Sequence, residues 1–306
     1  MKDSKKRIVL AGGSGFIGQA LARELIARNY EVVVLTRSPR ARTDGVMEVE
    51  WDGEHIGEWI KFLEGAEAVV NLAGKNINCP HTPENVSQLM ASRVNSVKAI
   101  GAALLHVTQP PRVWVQAGAV GFYGDSGDTR CTEISPNGTG NLAKICHAWE
   151  SAFNSIKPTR TRPVLLRIGF VLGRDGGALP VLSKLAKWFL GGAVGNGRQY
   201  ISWIHIADLT RMFLAAIERD DLSGTFNATA PEPERNHEFM RHLRGVLHRP
   251  WSPPAPVWAV KLGSRLMKSE PSLALISCRA VPRRFMQAGF QFRFFDLRAA
   301  LKDFYF

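Results

Sequence analysis

The sequence predicts an α/β protein built on a doubly wound parallel sheet, followed by a smaller C-terminal α/β domain. Three observations lead there. Short, almost unbroken apolar runs recur through roughly the first half of the 306 residues. Segments with helical spacing separate several of them. A glycine-rich turn follows the first run directly and opens the first helix.

Ile8 to Ala11 is the first strand, and Phe16 to Arg28 the first helix, with Ile17, Leu21, Leu25 and Ile26 at helical spacing. Val32 to Leu35, Val46 to Val49, Ala68 to Leu72, Val113 to Ala117 and Val164 to Ile168 read as further buried strands. Val86 to His106 and Leu142 to Ile156 read as helices between them. Beyond Gly169 the pattern changes: Leu179 to Leu190 reads as a helix, and Ile201 to Ile206 as a strand closed by His205. Asp208 is placed as the N-cap of a helix from Leu209 to Glu218. A strand over Gly224 to Ala228 follows, and it is expected to return to the sheet of the first domain. Residues 1–170 are thus expected to form the first domain and 171–306 the second. The proline-rich stretch from Pro250 to Pro256 marks the start of a separate tail with short helices.

Composition narrows the classes. The chain is 45% apolar and 22% charged, which is ordinary for a globular protein and unlike a disordered one. Its net charge is +12, and from Arg235 onward 13 basic residues face 4 acidic ones. These arginines are scattered through apolar text instead of forming a run, so no nucleic-acid partner is expected. The four cysteines are far apart and contain no C-x-x-C pair, which suggests neither a disulfide framework nor a zinc site. No His, Asp or Glu spacing suggests another metal centre. The basic start, Lys5-Lys6-Arg7 and the apolar run after it, imitates a leader, but four glycines break that run before Arg23-Glu24. No segment has the length of a membrane span. A cytoplasmic location is expected.

The glycine turn, GGSGFIG, carries the strongest chemical signal. Gly12 permits a tight turn, Gly15 lets backbone amides approach a diphosphate, and Gly18 lets the helix pack close to the sheet. The helix N-terminus adds partial positive charge. Together with the strand before and the helix after, this is the pattern of a Rossmann dinucleotide site. The second strand ends Leu35-Thr36-Arg37, with Arg40 and Arg42 just beyond, where an NAD site usually carries an acidic residue. Guanidinium groups there suit a 2′-phosphate, so NADP(H) is the expected cofactor. The plain alternative is a solvated basic loop.

With NLAG at Asn71 to Gly74 and AVGFYG at Ala119 to Gly124, this turn resembles the extended short-chain dehydrogenase/reductases. Further blocks narrow the resemblance to an atypical subgroup of NADP-binding "epimerase family" proteins with their own C-terminal domain. They are Ser92-Arg93, Trp149-Glu150, VLGRDGGAL from Val171, GNGRQYISWIHIAD from Gly195, NATAPEPERN from Asn227, and PRRFMQAGFQFRF from Pro282. The resemblance implies a cofactor site formed by Gly12, Gly15, Phe16, Ile17, Gly18, Thr36, Arg37, Leu72, Ala73, Arg93 and backbone near Phe170. It also implies that the second domain lies on the substrate side, and it leaves a dimer open.

The superfamily's usual proton-transfer group is a Tyr-x-x-x-Lys pair with a nearby Ser or Thr. Of the four tyrosines, Tyr30, Tyr123 and Tyr200 are followed four places on by Val34, Gly127 and Ile204, and Tyr305 stands too close to the last residue. Aligned on Glu150, the pair falls on Leu142 and Cys146, and the Ser/Thr position falls on Gly118. The remaining candidates for catalysis are Tyr123, His205 and Asp208. Each also has a structural reading: packing under the nicotinamide, a core histidine, and a helix cap. Cys146 reads as a small apolar residue on a helix face. Gly195, Gly197, Arg198 and Gln199 form a loop suited to an anionic substrate group or to a simple connection, and the tail arginines Arg279, Arg283 and Arg284 are expected to face solvent. The expected function is an NADP(H)-dependent oxidoreductase on a small, anionic substrate. The alternatives are a catalytically silent NADPH-binding regulatory protein and, below it, a nucleotide-sugar epimerase.

Overall fold

The computed structural model describes residues 5–306. Its centre is a seven-stranded sheet in which every pairing is parallel. The strands include β1 (Arg7–Ala11), β2 (Glu31–Thr36), β3 (Val46–Glu50), β4 (Ala68–Asn71) and β5 (Val113–Ala119). Across the sheet the order is Gly224–Ala228, Arg162–Ile168, β5, β4, β1, β2, β3. The edge strand Gly224–Ala228 thus comes from far along the chain and pairs with Arg162–Ile168. Ile8 to Ala11, Val33 to Leu35 and Ala68 to Val70 are fully buried, because helices cover both faces of the sheet.

The longer helices are α1 (Phe16–Ala27), α2 (Pro83–His106) and α3 (Asn141–Ser155), then α4 (Leu179–Lys187), α5 (Ile206–Glu218), α6 (Asn236–Val246) and α7 (Val257–Leu266). Thr82 caps α2 by accepting from the Asn85 amide, with a proline in the first turn. Strand order reverses between β1 and β4, which opens a crevice at their carboxyl ends. A second apolar core, with Trp203, Phe239 and Leu243 at its centre, joins α4 and α6 to the C-terminal tail. Two-stranded pairings add to it, among them Trp203–His205 beside Phe170–Leu172.

Three local expectations are corrected. The stretch from Ile201 to Ile206 is two strands, Tyr200–Ile201 and Trp203–His205, in different small sheets. The break is at Ser202, whose hydroxyl and carbonyl bond to the tail and to Phe170. Helix α4 stops at Lys187, and Phe189 turns left-handed at φ 60° instead of continuing to Leu190. Asp208 is not an N-cap. His205 caps α5, its Nδ1 accepting from the Ala207 amide at 3.1 Å. Asp208 lies within the first turn, where it accepts from the backbone amides of Arg293 and Phe294. Those partners are 85 and 86 residues away, so no local pattern marks them.

Candidate functional site

The glycine turn lies in the crevice between β1 and β4. Gly12 has φ 72°, and a Cβ there would come within 2.7 Å of the Ala73 Cα. A Cβ on Gly18 would come within 2.4 Å of the Gly13 carbonyl oxygen, so α1 closes on the turn only because both residues lack a side chain. At Gly15 the nearest atom would be 3.6 Å away, which leaves open space at the head of α1. No side chain caps α1, and its first turn carries no acidic residue. Its free amides and partial positive charge fit a diphosphate. Phe16 turns away, into a cradle formed by Gly173, Gly176 and Gly177, each of whose Cβ positions would crowd its ring. Ile17 packs against the main core.

At the end of β2, the Thr36 hydroxyl reaches the Ser14 hydroxyl at 3.3 Å and ties the strand to the glycine turn. Arg37 follows, exposed, and among the described residues its guanidinium forms no hydrogen bond or ion pair. Arg42 is different: Asp44 and Glu48 hold it in ion pairs, and they raise its pKa further. It is therefore not available to a ligand phosphate as Arg37 is. Ser14, which the sequence reading passed over, belongs with Thr36 and Arg37.

Across the crevice, buried Asn71 shapes the turn after β4. Its Oδ1 accepts from the Ala73 amide at 3.0 Å, and its Nδ2 donates to Gln116 and Ser96. Leu72 and Ala73 are thereby held against Gly12. Arg93 lies alongside, its side chain 3.3 Å from where a Gly74 Cβ would stand and 5.1 Å above the Trp149 ring. Burial lowers its pKa, and among the described residues it has no ion-pair partner. Phe170 contributes no free amide, because its N–H donates to Ser202 at 2.7 Å.

Of the positions of the usual proton-transfer group, Leu142 and Cys146 stand together beside Gly121, and Gly118 faces Glu150. A Cβ on Gly121 would touch Cys146 Sγ at 3.4 Å and Leu142 Cβ at 3.6 Å, and one on Gly118 would lie 3.5 Å from Glu150. Nothing in that group transfers a proton. Burial pushes the Cys146 thiol up to about 12, so it stays protonated at neutral pH.

The other three candidates are held elsewhere. Tyr123 is buried, and its hydroxyl contacts Asn227 Oδ1 at 2.7 Å, the Thr132 carbonyl at 2.9 Å and an Arg167 donor at 2.8 Å. Burial raises its pKa to about 12 despite Arg167. Arg167 also binds Glu150, and the Glu133 carboxylate accepts from the amides of Asn227 and Arg284. This buried network joins four of the marked blocks: AVGFYG, Trp149-Glu150, NATAPEPERN and the tail. His205 is stacked on Phe304 and Phe294 at 4.3 and 4.0 Å, and burial lowers its pKa to about 4. Asp208 clamps the tail as described above. Arg284 is also committed, donating to the Ser223 and Thr225 carbonyls instead of facing solvent.

A pocket of about 360 Å³ opens between the loop after β5 and the GNGRQY loop. Asp125, Asp128, Asn196, Arg198, Gln199 and Ser277 supply its polar lining. Among the described residues, no group of three or more His, Cys, Asp or Glu side chains is arranged to hold a metal ion. No described helix is long and apolar enough to cross a membrane.

The parallel sheet, its switch-point crevice and the glycine turn define a protein of the extended short-chain dehydrogenase/reductase class. The comparisons specify it further. The model of the NAD dependent epimerase/dehydratase family matches residues 8–228, and the domain of unknown function DUF1731 matches 255–304. The chain belongs to that epimerase/dehydratase family. It is similar to the human epimerase family protein SDR39U1, crystallised with NADPH, at 32% identity and TM-score 0.86, covering 97% of this chain and 98% of that one. It is 34% identical to a chloroplastic SDR39U1 homolog of Arabidopsis thaliana, over 98% of this chain and 87% of the relative. An epimerase family protein of Staphylococcus aureus is 32% identical over 97% and 98% of the two chains.

Proposed function

We propose that the protein is an NADP(H)-dependent oxidoreductase that acts on a small anionic substrate and draws its proton from solvent. The carrying observation is the pairing of an uncapped α1 N-terminus with an unpartnered Arg37 at the end of β2. The turn from Gly12 to Gly18 would hold the diphosphate, and Ser14, Thr36 and Arg37 the 2′-phosphate. Leu72 and Ala73, fixed by Asn71, would line the far side. Once bound, the cofactor supplies a hydride. Arg198 in the cleft pocket offers a cation for a substrate carboxylate or phosphate. Solvent is the favoured proton source because Tyr123 and Asp208 use their polar atoms inside the fold, and His205 is buried between two rings with its Nδ1 committed to the α5 cap. The human relative crystallised with NADPH supports the cofactor assignment.

The same commitment of side chains favours a second reading, a silent NADPH-binding protein whose cofactor state governs a partner. Epimerisation of a nucleotide sugar ranks lower, since it relies on the tyrosine replaced here by Leu142. Deuterium transfer separates the first two. The protein is incubated with deuterated NADPH and cell extract, and metabolites are searched for label. Protein-dependent label that Arg37→Asp abolishes supports the oxidoreductase. A folded, NADPH-saturated protein that labels nothing across several extracts overturns it in favour of the silent binder.

A further inference from the structure

Helix α7 is oriented against the usual rule for a surface helix. None of its residues is buried. Ala259, Val260, Gly263 and Ser264 are half-buried, while Trp258, Leu262 and Leu266 are 69%, 53% and 78% exposed. These three stand at i, i+4 and i+8 and share one face. Lys261 and Arg265 flank them on the adjoining exposed face, and Lys268, also exposed, follows the end of the helix.

Further exposed apolar groups stand on the segment that leads into the helix and on the one packed against it. The segment after α4 packs on residues 249–255: the Ala255 amide donates to Ala193 at 2.8 Å, and the Arg249 guanidinium lies 5.3 Å from the Phe189 ring. Trp188 and Trp251, on these adjoining segments, are 72% and 67% exposed. Residues 176–207 and 239–269, which carry all these groups, contain nine lysines and arginines and no aspartate or glutamate. Among the described residues, Lys184, Lys187, Lys261, Arg265 and Lys268 form no ion pair.

We propose that this face, centred on α7, docks on an anionic lipid surface. Exposed tryptophans and leucines beside unpaired cations are the chemistry of an interfacial helix: the apolar groups enter the headgroup boundary and the cations meet lipid phosphates. A second copy of the chain is a poorer occupant, because a two-fold contact would set cations against cations. Val257, the first residue of α7, also lines the cleft pocket, so docking would bring the pocket rim to the lipid.

Sedimentation of the full chain with vesicles tests this. Binding is expected to phosphatidylcholine vesicles containing phosphatidylglycerol, not to phosphatidylcholine alone, and to fall as salt rises. Trp258→Ala with Leu262→Ala, and separately Lys261→Glu with Arg265→Glu, should each weaken binding at least about tenfold. All four positions are exposed, so circular dichroism should show the fold unchanged. Absence of binding to anionic vesicles at low salt overturns the proposal, as does binding that both variants leave intact. Binding to polyglutamate in place of vesicles would show an acidic-protein face instead. A dimer in light scattering that these variants dissociate would show a self-contact instead.

Discussion

The Arg167 guanidinium grips the Glu150 carboxylate through two parallel hydrogen bonds, Nε to Oε1 at 2.9 Å and Nη2 to Oε2 at 2.8 Å. Both side chains are buried, and Phe122 lies 3.6 Å beneath the guanidinium. Burial raises the Glu150 pKa even against the pull of Arg167. At Arg167 the burial penalty is outweighed by the hydrogen bonds and charge of Glu150, which raise its pKa, so desolvation offsets only part of the attraction. Breaking the pair is costly. Glu150→Ala leaves a buried, unpaired cation and is expected to cost about 3–5 kcal/mol in denaturant unfolding. Glu150→Leu with Arg167→Met should cost less than the sum of the single changes. Strict additivity would mean the two side chains are not coupled in solution.

Arg37→Asp removes an unpaired cation that directly follows β2 and installs a repulsive charge. NADPH affinity should fall at least about tenfold more than NADH affinity, a difference of about 1.4 kcal/mol. Nicotinamide fluorescence titrations at one salt concentration measure both. Equal weakening would remove Arg37 from the 2′-phosphate site.

Two glycines should respond oppositely to alanine. Gly18→Ala drives a methyl group to within 2.4 Å of the Gly13 oxygen, so α1 must move off the turn. A loss of about 1–3 kcal/mol of stability, together with weaker NADPH binding, is expected. Gly245 lies in α6 with nothing within 4 Å of its Cβ position. Gly245→Ala should stabilise the protein by roughly 0.5–1 kcal/mol and leave binding unchanged.

His205 makes stability depend on acid. Burial lowers its folded pKa to about 4 from an ordinary 6.5. Between those values the unfolded chain binds a proton that the folded one excludes, so stability falls as the pH drops. The full effect is roughly 3 kcal/mol. His205→Asn keeps a capping acceptor and does not titrate, so its unfolding free energy should fall less steeply between about pH 6.5 and 4. An unchanged slope would assign the acid sensitivity to other groups.

The sequence by itself determined the alternation of strand and helix and the glycine turn, because both rest on interactions within a few residues. Apolar runs announce buried strands, and Gly12 and Gly18 announce a close approach whatever it is they approach. Arg37 was legible for the same reason: it follows a strand whose end has a known neighbour. Tertiary structure alone decided what the candidate catalytic side chains do. Tyr123 meets Asn227 104 residues away, and Asp208 meets Arg293 85 residues away. A polar residue's role depends on which partner burial brings to it, and that is set by how the tail folds back over the sheet. Local patterning specifies backbone geometry, whereas the assignment of charge and hydrogen-bond partners is made only when distant segments meet.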